Sequence, residues 1–331
     1  MTSTLKRFNK PHKSLDEQIE LLISRGMEVP DPDSAKQNLG IIGYYRLSSY
    51  WYHMEEQPEQ NQIGRAHKFK AGTKFDDVLA LYVFDQKLRV LMMEAIERLE
   101  IAIRAKWAHY LSEIAGSHAH CEISCFEKQD EHMNSIASLL IDVTKAKANS
   151  SEINHYLETY DHPMLPPIWT VVGCMSFGEL LRWIRNTKNV KVKRQIAKDI
   201  LGTPNINLFD GIMRQLTTVR NMCAHHGRLW DQRFITRMPY IKDHLKAPMV
   251  EFKKVVSDPK QKVQEIADNK MYNTVLIVAH LILRLNPSSS WPLRIAQLVN
   301  ESLTDHQICI MGFPQNWRTN SFWWPDNCQP K

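Results

Sequence analysis

Arginine, asparagine and histidine lie close together in the run Arg220-Asn221-Met-Cys-Ala-His225. Histidine, whose unperturbed pKa is about 6.5, moves protons near neutral pH, and arginine offers a permanently charged, planar fork that matches phosphate oxygens. Asparagine can donate to a phosphate oxygen or orient the imidazole. These types suit attack by an RNA 2′-hydroxyl on its phosphate, which leaves a 2′,3′-cyclic phosphate and a 5′-hydroxyl and needs no metal or other cofactor.

The spacing of Arg220 and His225 is weak evidence when taken alone. With 14 histidines and 18 arginines in 331 residues, chance predicts about 0.8 such pairs. The sequence contains three, namely Arg7/His12, Arg104/His109 and Arg220/His225. The first lies in an N-terminal stretch interrupted by Pro11, and the second lies on a long predicted helix, where a packing or surface role is the simpler interpretation.

Helical geometry favours the third pair. In residues 206–226 an apolar stripe defines the side that faces the core. Asn221 and His225 share the opposite side, and Arg220 lies beside them with a flexible stem. His226 is expected to turn towards the stripe, and Gly227 is expected to end the helix. The stripe consists of Leu208, Ile212, Leu216, Val219 and Cys223.

One arginine and one histidine make a small catalytic set. Two copies of the run facing each other across a two-fold axis would complete it, so the sequence predicts a homodimer with a composite site. The side of the helix that carries Asn221 and His225 points away from its own core, which fits that arrangement.

A basic segment precedes the motif. Residues 182–198 contain seven lysines and arginines and no acid, in a chain with a formal net charge of +6. Such a segment could track RNA phosphates, and a solvated surface is an equally good interpretation of it. The candidate RNA contacts in it are Arg182, Arg185, Lys191, Lys193 and Arg194.

Two other chemistries are weaker. A zinc site is conceivable at His118, His120, Cys121 and Cys125, but the cysteines are three residues apart and no second well-spaced pair exists. Nucleophilic catalysis by Cys223 is disfavoured because it completes the apolar stripe and points away from His225. We therefore expect neither a metal nor a reactive thiol.

The elements that must position these residues are helical. Glycine is scarce, with 12 in the chain, and apolar residues recur every three or four positions. This predicts an all-α, multi-helix bundle, without convincing linkers, that forms one continuous unit over residues 1–331. A long central helix is predicted from Phe75 to about Ile114, with an apolar stripe at positions 81, 84, 88, 92, 95, 99, 103, 107, 110 and 114. The pairs Glu94/Arg98 and Glu100/Arg104 are interpreted as ordinary surface pairing. Further helices are predicted near 127–148, 152–160, 176–186, 190–201, 206–226, 260–285 and 290–310.

The rest of the sequence bears on location and on the chain's end. No apolar stretch of about 18 residues and no secretory signal is apparent, which predicts a cytoplasmic protein without a membrane partner. Six scattered cysteines favour reduced thiols in that compartment. The aromatic residues of 313–325 are expected to dock on the body of the protein.

Several short blocks together resemble a known family. They are KPHKSLDEQIELLISRG (10–26), GYYRL (43–47), FDQKLR (84–89), ERLE (97–100) with Arg104, LPPIW (165–169), SFGEL (176–180), RNMCAHHGRLW (220–230) and MGFP (311–314). In this order they resemble the Abi-like family of abortive-infection phage-resistance proteins, of the AbiD/AbiF type, which belongs to the HEPN superfamily.

The resemblance implies a HEPN-like core over about residues 75–230, an N-terminal helical extension over 1–72, and C-terminal helices with an aromatic tail over 231–331. It implies an RNA-cleaving defence or toxin-like protein that is controlled by a partner RNA or an antitoxin. Arg220 and His225 match the catalytic positions of the RNxxxH motif, and Asn221 matches its polar position. Arg228 is a candidate RNA contact, with a structural role equally open. The alternative function is a non-catalytic RNA-binding or scaffold protein of the same family.

Overall fold

The protein is described by a computed structural model over residues 10–58, 64–235, 238–239, 241, 249–254 and 264–325. Helices dominate these ranges, which confirms the all-α prediction. The sequence did not predict a small hairpin, in which β1 (Glu251–Lys254) pairs antiparallel with β2 (Gln264–Ala267). Arg7 of the first arginine–histidine pair lies outside the described residues.

The chain divides into two compact units, residues 1–87 and residues 88–331, and the division falls within the long helix α4 (Phe75–Ala115). Unit 1 begins with α1 (Leu15–Ser24), which a capping box between Ser14 and Glu17 initiates. It continues with α2 (Pro32–Ile42) and α3 (Tyr44–Ser48). Its buried core includes Leu22, Leu47, Trp51 and Phe69.

After α4, the helices of unit 2 are α5 (Gln129–Ala146), α6 (Ser151–Thr159), α7 (Ile168–Val171), α8 (Phe177–Asn186), α9 (Val190–Leu201), α10 (Ile206–Ala224), α11 (Met271–Leu285), α12 (Trp291–Ser302) and α13 (Asp305–Met311). Capping side chains initiate several of them, Asn205 before α10 and Ser176 before α8 among others. Helix α11 is buried along most of its length and contacts α9 and α12.

The long helix has the predicted length and most of the predicted stripe. Its 41 residues extend about 60 Å at 1.5 Å per residue. The stripe is buried at every predicted apolar position from 81 to 107. Near the end of the helix Leu111 is buried, whereas Tyr110 and Ile114, which were predicted for the stripe, are half-buried and exposed, respectively.

Two of the predicted C-terminal helices are wrong in extent. Within the predicted helix 260–285, β2 occupies 264–267 and α11 begins only at Met271. The predicted helix 290–310 is two helices, because Thr304 forms a new capping box after Leu303 leaves the helical conformation. The aromatic tail is buried as predicted, with Phe322, Trp323 and Trp324 all shielded from solvent.

Two features bear on cysteines and membranes. Cys121, Cys125, Cys174, Cys223 and Cys309 are free thiols, and Cys328 lies outside the described residues. Among the helices of the described ranges, none combines the length and the apolar character needed to cross a bilayer.

Candidate functional site

The end of α10 sets the geometry of the RNxxxH run. The helix ends at Ala224, with His225 as its C-cap and His226 in the left-handed region at φ 58. The amide of His226 donates to the carbonyl of Cys223 (3.1 Å), and that of Gly227 donates to the carbonyl of Met222 (2.6 Å). This pair of bonds defines a Schellman motif. The helix therefore ends two residues before the predicted position, and His226 takes the left-handed position in place of a glycine.

The faces of α10 are close to the prediction. Ile212, Leu216, Val219 and Cys223 are buried, whereas Leu208 is only half-buried and Phe209 takes its place in the core. The opposite side carries Asn221 and His225, and both are exposed. The side chain of Arg220 is 32% exposed. His226 is also exposed, so its predicted turn towards the stripe is wrong because it has left the helix.

A buried glutamate of α4 faces Arg220. Glu100 is 7% exposed, and its Oε2 lies 3.8 Å from Nε of Arg220, within ion-pair range and beyond hydrogen-bond length. Arg104 donates to the same carboxylate and to the carbonyl of Met175 (2.6 Å). The Glu100–Arg104 pair is therefore a buried element of the site, and its predicted role as ordinary surface pairing is wrong.

The other predicted pair on α4 does lie at the surface. Glu94 and Arg98 are 2.8 Å apart, and Glu94 also pairs with Arg294 of α12 at 2.8 Å. The hydrogen bond from Arg294 lowers the pKa of the Glu94 carboxyl despite its partial burial. This pairing links α4 to α12 and lies outside the site.

A second α4 residue holds the turn after the motif. The buried Arg89 donates through Nη1 to the carbonyl of Gly227 at 3.3 Å. Leu229 and Trp230 follow and are fully buried, which anchors the chain beyond the turn. Arg89 and Glu100 lie about 16 Å apart along α4 at 1.5 Å per residue. The long helix α4 therefore contacts the motif at its start, through Glu100 at Arg220, and the turn just after it, through Arg89 at Gly227.

Arg220 lines an open cleft of ≈ 720 Å³, which we call the Arg220 cleft. Its charged lining consists of three arginines and four carboxylates, so it is not electropositive by composition. Asn221 and His225 do not line it. The lining residues are Met93, Glu97, Glu100, Ile101, Arg104, Asp142, Gly173, Cys174, Met175, Ser176, Glu179, Arg182 and Arg220.

Two groups in the Arg220 cleft have shifted pKa values. Burial raises the pKa of Glu179, but hydrogen bonds from the amide and hydroxyl of Ser176 and from Ser138 outweigh it, and the net pKa is lowered. Burial raises the pKa of the Cys174 thiol. Glu179 is therefore a fixed anion, while Cys174 stays protonated and is a poor nucleophile.

The basic segment 182–198 is divided among different surfaces. Arg182 lines the Arg220 cleft, 3.7 Å from Glu179, whereas Arg185 lines a separate groove with Asp210 and Arg214. The side chain of Lys193 is 12% exposed and pairs with Glu127 at 2.8 Å. Lys191 and Arg194 are exposed on α9. Of the five RNA contacts predicted in this segment, the structure brings only Arg182 to the same cleft as Arg220.

Arg228 is half-buried in the segment after the motif. Burial raises the pKa of Asp231, and the positive charges of Arg228, Arg233 and Lys270 act against that shift. Arg228 thus has an acidic neighbour in its own unit, and a role as an RNA contact stays a prediction.

The segment with His118, His120, Cys121 and Cys125 forms a packed corner. His120 is fully buried, and burial together with the neighbouring His118 and His132 lowers its pKa to about 4. Burial raises the pKa of Cys121 to about 11. Over the ranges that the structure covers, no group of three or more His, Cys, Asp or Glu side chains is arranged to hold a metal ion.

The sequence did not identify the residues that support Arg220, namely Glu100, Arg104 and Arg89. The usable signal was the presence of charged residues directly beside the buried apolar stripe of α4. A charged side chain at such a position needs a partner within the protein. Helical periodicity alone assigns such residues to the border of the core and does not identify their partners.

Comparison with known proteins gives one match. The model of the family described as Abi-like protein matches residues 37–231 of this chain. No curated protein and no solved structure gives a significant match. The matched region includes α10 with its RNxxxH run, the whole of α4 and all of the Arg220 cleft. More than half of the sequence therefore fits the family, and the chain belongs to the Abi-like proteins, a membership that indicates a role in abortive infection.

Proposed function

We propose that this protein is a HEPN-type, metal-independent endoribonuclease that acts in abortive infection or as a toxin. One observation carries the proposal: an exposed His225 ends the helix on which Arg220 faces a buried glutamate. An imidazole open to solvent and a positioned guanidinium are two groups that cleavage through a 2′-hydroxyl needs. The family membership supports the defence role.

The proposed reaction is an internal transesterification. His225 accepts the proton of the 2′-hydroxyl while the 2′-oxygen forms a bond to phosphorus, and the bond from phosphorus to the 5′-oxygen breaks. The leaving 5′-oxygen takes a proton from a second acid. Arg220 neutralises the charge that builds on the phosphate oxygens, and Asn221 donates to one of them or orients the ring.

Glu100 is the positioning residue in this scheme. A free arginine side chain samples many rotamers, and its ion pair with a buried carboxylate restricts those that Arg220 adopts. Arg104 shares the charge of that carboxylate, which keeps Glu100 from fully neutralising Arg220. The guanidinium of Arg220 is therefore held in one direction and keeps positive charge that can act on the phosphate.

The second acid has a natural source in another copy of the chain. His225 is one imidazole on an exposed helix end, and two such ends facing each other across a two-fold axis would supply one base and one acid. The proposed enzyme is a homodimer with a composite site. A partner RNA or an antitoxin would control it by covering this exposed helix end.

A second candidate function is a non-catalytic RNA-binding or scaffold role in the same defence family. The observation that favours it over catalysis at Arg220 is the lining of the Arg220 cleft, where carboxylates outnumber guanidinium groups. That composition would repel a phosphate that approached without help from cations elsewhere.

The test is cleavage of total cellular RNA by the purified protein in the presence of a chelator, with the cut ends mapped. We expect 2′,3′-cyclic phosphate and 5′-hydroxyl ends, and a loss of about 10²- to 10⁴-fold in rate for His225→Ala. His226→Asn is the matched control, because it removes the adjacent exposed imidazole and asparagine tolerates the left-handed backbone. Unchanged cleavage by His225→Ala would refute the assignment, and no cleavage by the unaltered protein would favour the binding role.

A further inference from the structure

The GYYRL block of unit 1 is not used by the proposed chemistry. Gly43 has φ 91 and precedes α3, so that Tyr44 and Tyr45 begin the helix. Tyr44 is half-buried against the buried Trp51, with ring centres 5.3 Å apart. Tyr45 is 74% exposed, although an aromatic ring of its size gains free energy from burial. Its exposure is unexplained by the packing of unit 1.

Two arginines contact tyrosines of this region, one at Tyr44 and one at Tyr52. Arg25, the C-cap of α1, donates through Nη1 to the hydroxyl of Tyr44 at 3.0 Å. Arg65 is held by Glu55, which accepts from its Nε at 3.0 Å and is 5% exposed. The guanidinium carbon of Arg65 also lies 4.0 Å from the ring centre of Tyr52. Both guanidinium groups are thus placed by partners within unit 1.

An exposed histidine with a strained backbone completes the cluster. His67 has φ 56, a conformation that costs a non-glycine residue free energy and concentrates at functional sites. Burial lowers its pKa, and the positive charges of Arg25, Arg65 and Lys10 lower it further, against the opposing effect of Glu55. We call the set Arg25, Tyr44, Tyr45, Arg65 and His67 the tyrosine–arginine surface.

We infer that the tyrosine–arginine surface binds single-stranded RNA, with Arg25 and Arg65 on phosphates and a base stacked on Tyr45. Tyr45 lies edge-on to Tyr44 with ring centres 6.1 Å apart, and Arg25 holds the hydroxyl of Tyr44. Cations close to an exposed aromatic ring are the combination by which proteins hold single strands without reading sequence. An acidic peptide would be attracted by the cations, but its carboxylates would not stack on the exposed ring of Tyr45. The inference rests on the proposed function only in naming RNA as the ligand.

The composition of the Arg220 cleft calls for attraction of RNA from another surface. Its carboxylates outnumber its guanidinium groups, so it contributes little net attraction for a polyanion. In the tyrosine–arginine surface the charges that act on His67 include those of Arg25, Arg65 and Lys10 on the positive side and that of Glu55 on the negative side. The binding energy for RNA is therefore assigned to unit 1 and the chemistry to unit 2.

The test is fluorescence anisotropy of a labelled single-stranded oligoribonucleotide with the full chain carrying His225→Ala, so that the probe stays intact. We expect Tyr45→Ala to weaken binding by about 5- to 100-fold and Tyr45→Phe to bind like the parent. Arg25→Gln should weaken it several-fold. Lys36→Gln is the matched control, since it removes one cation of unit 1 that pairs with Asp16 at 2.6 Å.

Folding is checked by thermal denaturation, and the high exposure of Tyr45 makes its replacement neutral for the fold. Equal binding by Tyr45→Ala and the parent would overturn the inference, as would polyglutamate competing as well as RNA. Cleavage by the unaltered chain with binding indifferent to Tyr45 would refute this inference alone. Binding that depends on Tyr45 without any cleavage would refute the proposed function alone.

Discussion

Two regions of the molecule hold arginines in opposite ways. In the Arg220 cleft, Arg220 and Arg104 share the buried carboxylate of Glu100, and further carboxylates lie nearby. In the tyrosine–arginine surface, Arg25 donates to a tyrosine hydroxyl, and the buried carboxylate of Glu55 accepts from Arg65. The first arrangement places a guanidinium among several carboxylates, and the second holds one guanidinium, that of Arg25, on an uncharged hydroxyl.

The difference indicates a division of labour. A cation surrounded by carboxylates binds a ground-state phosphate weakly, but it is oriented for a transition state that carries more negative charge. A cation beside an exposed aromatic ring increases affinity without regard to the reaction. Variants in the two regions should therefore separate cleavage from binding.

Among the variants that compare the two regions, replacing Arg220 should have the largest effect. Arg220→Ala removes the cation that stabilises the phosphorane, and we expect cleavage to fall by about 10²- to 10³-fold. RNA affinity should change by less than about threefold, since the cleft adds little net attraction. Arg98→Ala removes an arginine of α4 that is 48% exposed and lies outside the site, so it is the matched control and should cleave nearly normally. A large loss of RNA affinity in Arg220→Ala would show that the Arg220 cleft itself binds RNA, in contradiction to this division of labour.

Releasing Arg220 from its glutamate should have a smaller effect. Glu100→Gln keeps the shape of the side chain but loses its charge, so that Arg220 and Arg104 are no longer oriented by an anion. We expect cleavage to fall by about tenfold at saturating RNA. Affinity should be equal or slightly higher, because one negative charge is gone. Single-turnover rates measure cleavage, and anisotropy measures RNA affinity. Cleavage at the normal rate would show that Glu100 does not position Arg220 for the reaction.

The smallest effect concerns the backbone at the end of α10. His226 and His67 are the non-glycine residues with positive φ among those that the structure describes. His226→Gly relieves the left-handed strain in the Schellman motif, and we expect the free energy of unfolding to rise by up to about 1 kcal/mol. Gly227→Ala should act in the opposite direction, because its Cβ would lie 3.2 Å from the carbonyl of Met222. Denaturant unfolding measures both, and a destabilised His226→Gly would show that the imidazole itself packs there.

Periodicity predicted the helices that position the site, because a long amphipathic stripe is a strong signal. The stripe of α4 is buried where the spacing placed it up to Trp107, and the apolar side of α10 is close to the prediction. Periodicity failed where the element is short. Strand β2, of four residues, was assigned to a helix because four residues do not distinguish the two periods.

The candidate site was predictable in its motif and not in its supports. The run from Arg220 to His225 could be placed on one side of α10, and its exposed residues are those that the helical period assigned to solvent. Glu100 and Arg89 lie more than a hundred positions earlier in the chain, and helical period does not reveal which helix packs on which. The exit of His226 from the helix depends on local turn geometry, for which a histidine gives no clear signal.

Cleavage through the 2′-hydroxyl of the RNA is tested with an oligoribonucleotide that contains two mapped cut sites and with a matched oligonucleotide that has a single 2′-deoxy substitution at one of them. We expect the substituted bond to survive while the other site is still cut, because only the attacking oxygen has been removed. Cleavage of the substituted bond at the normal rate would refute the proposed transesterification, because the attacking oxygen would then have to come from water.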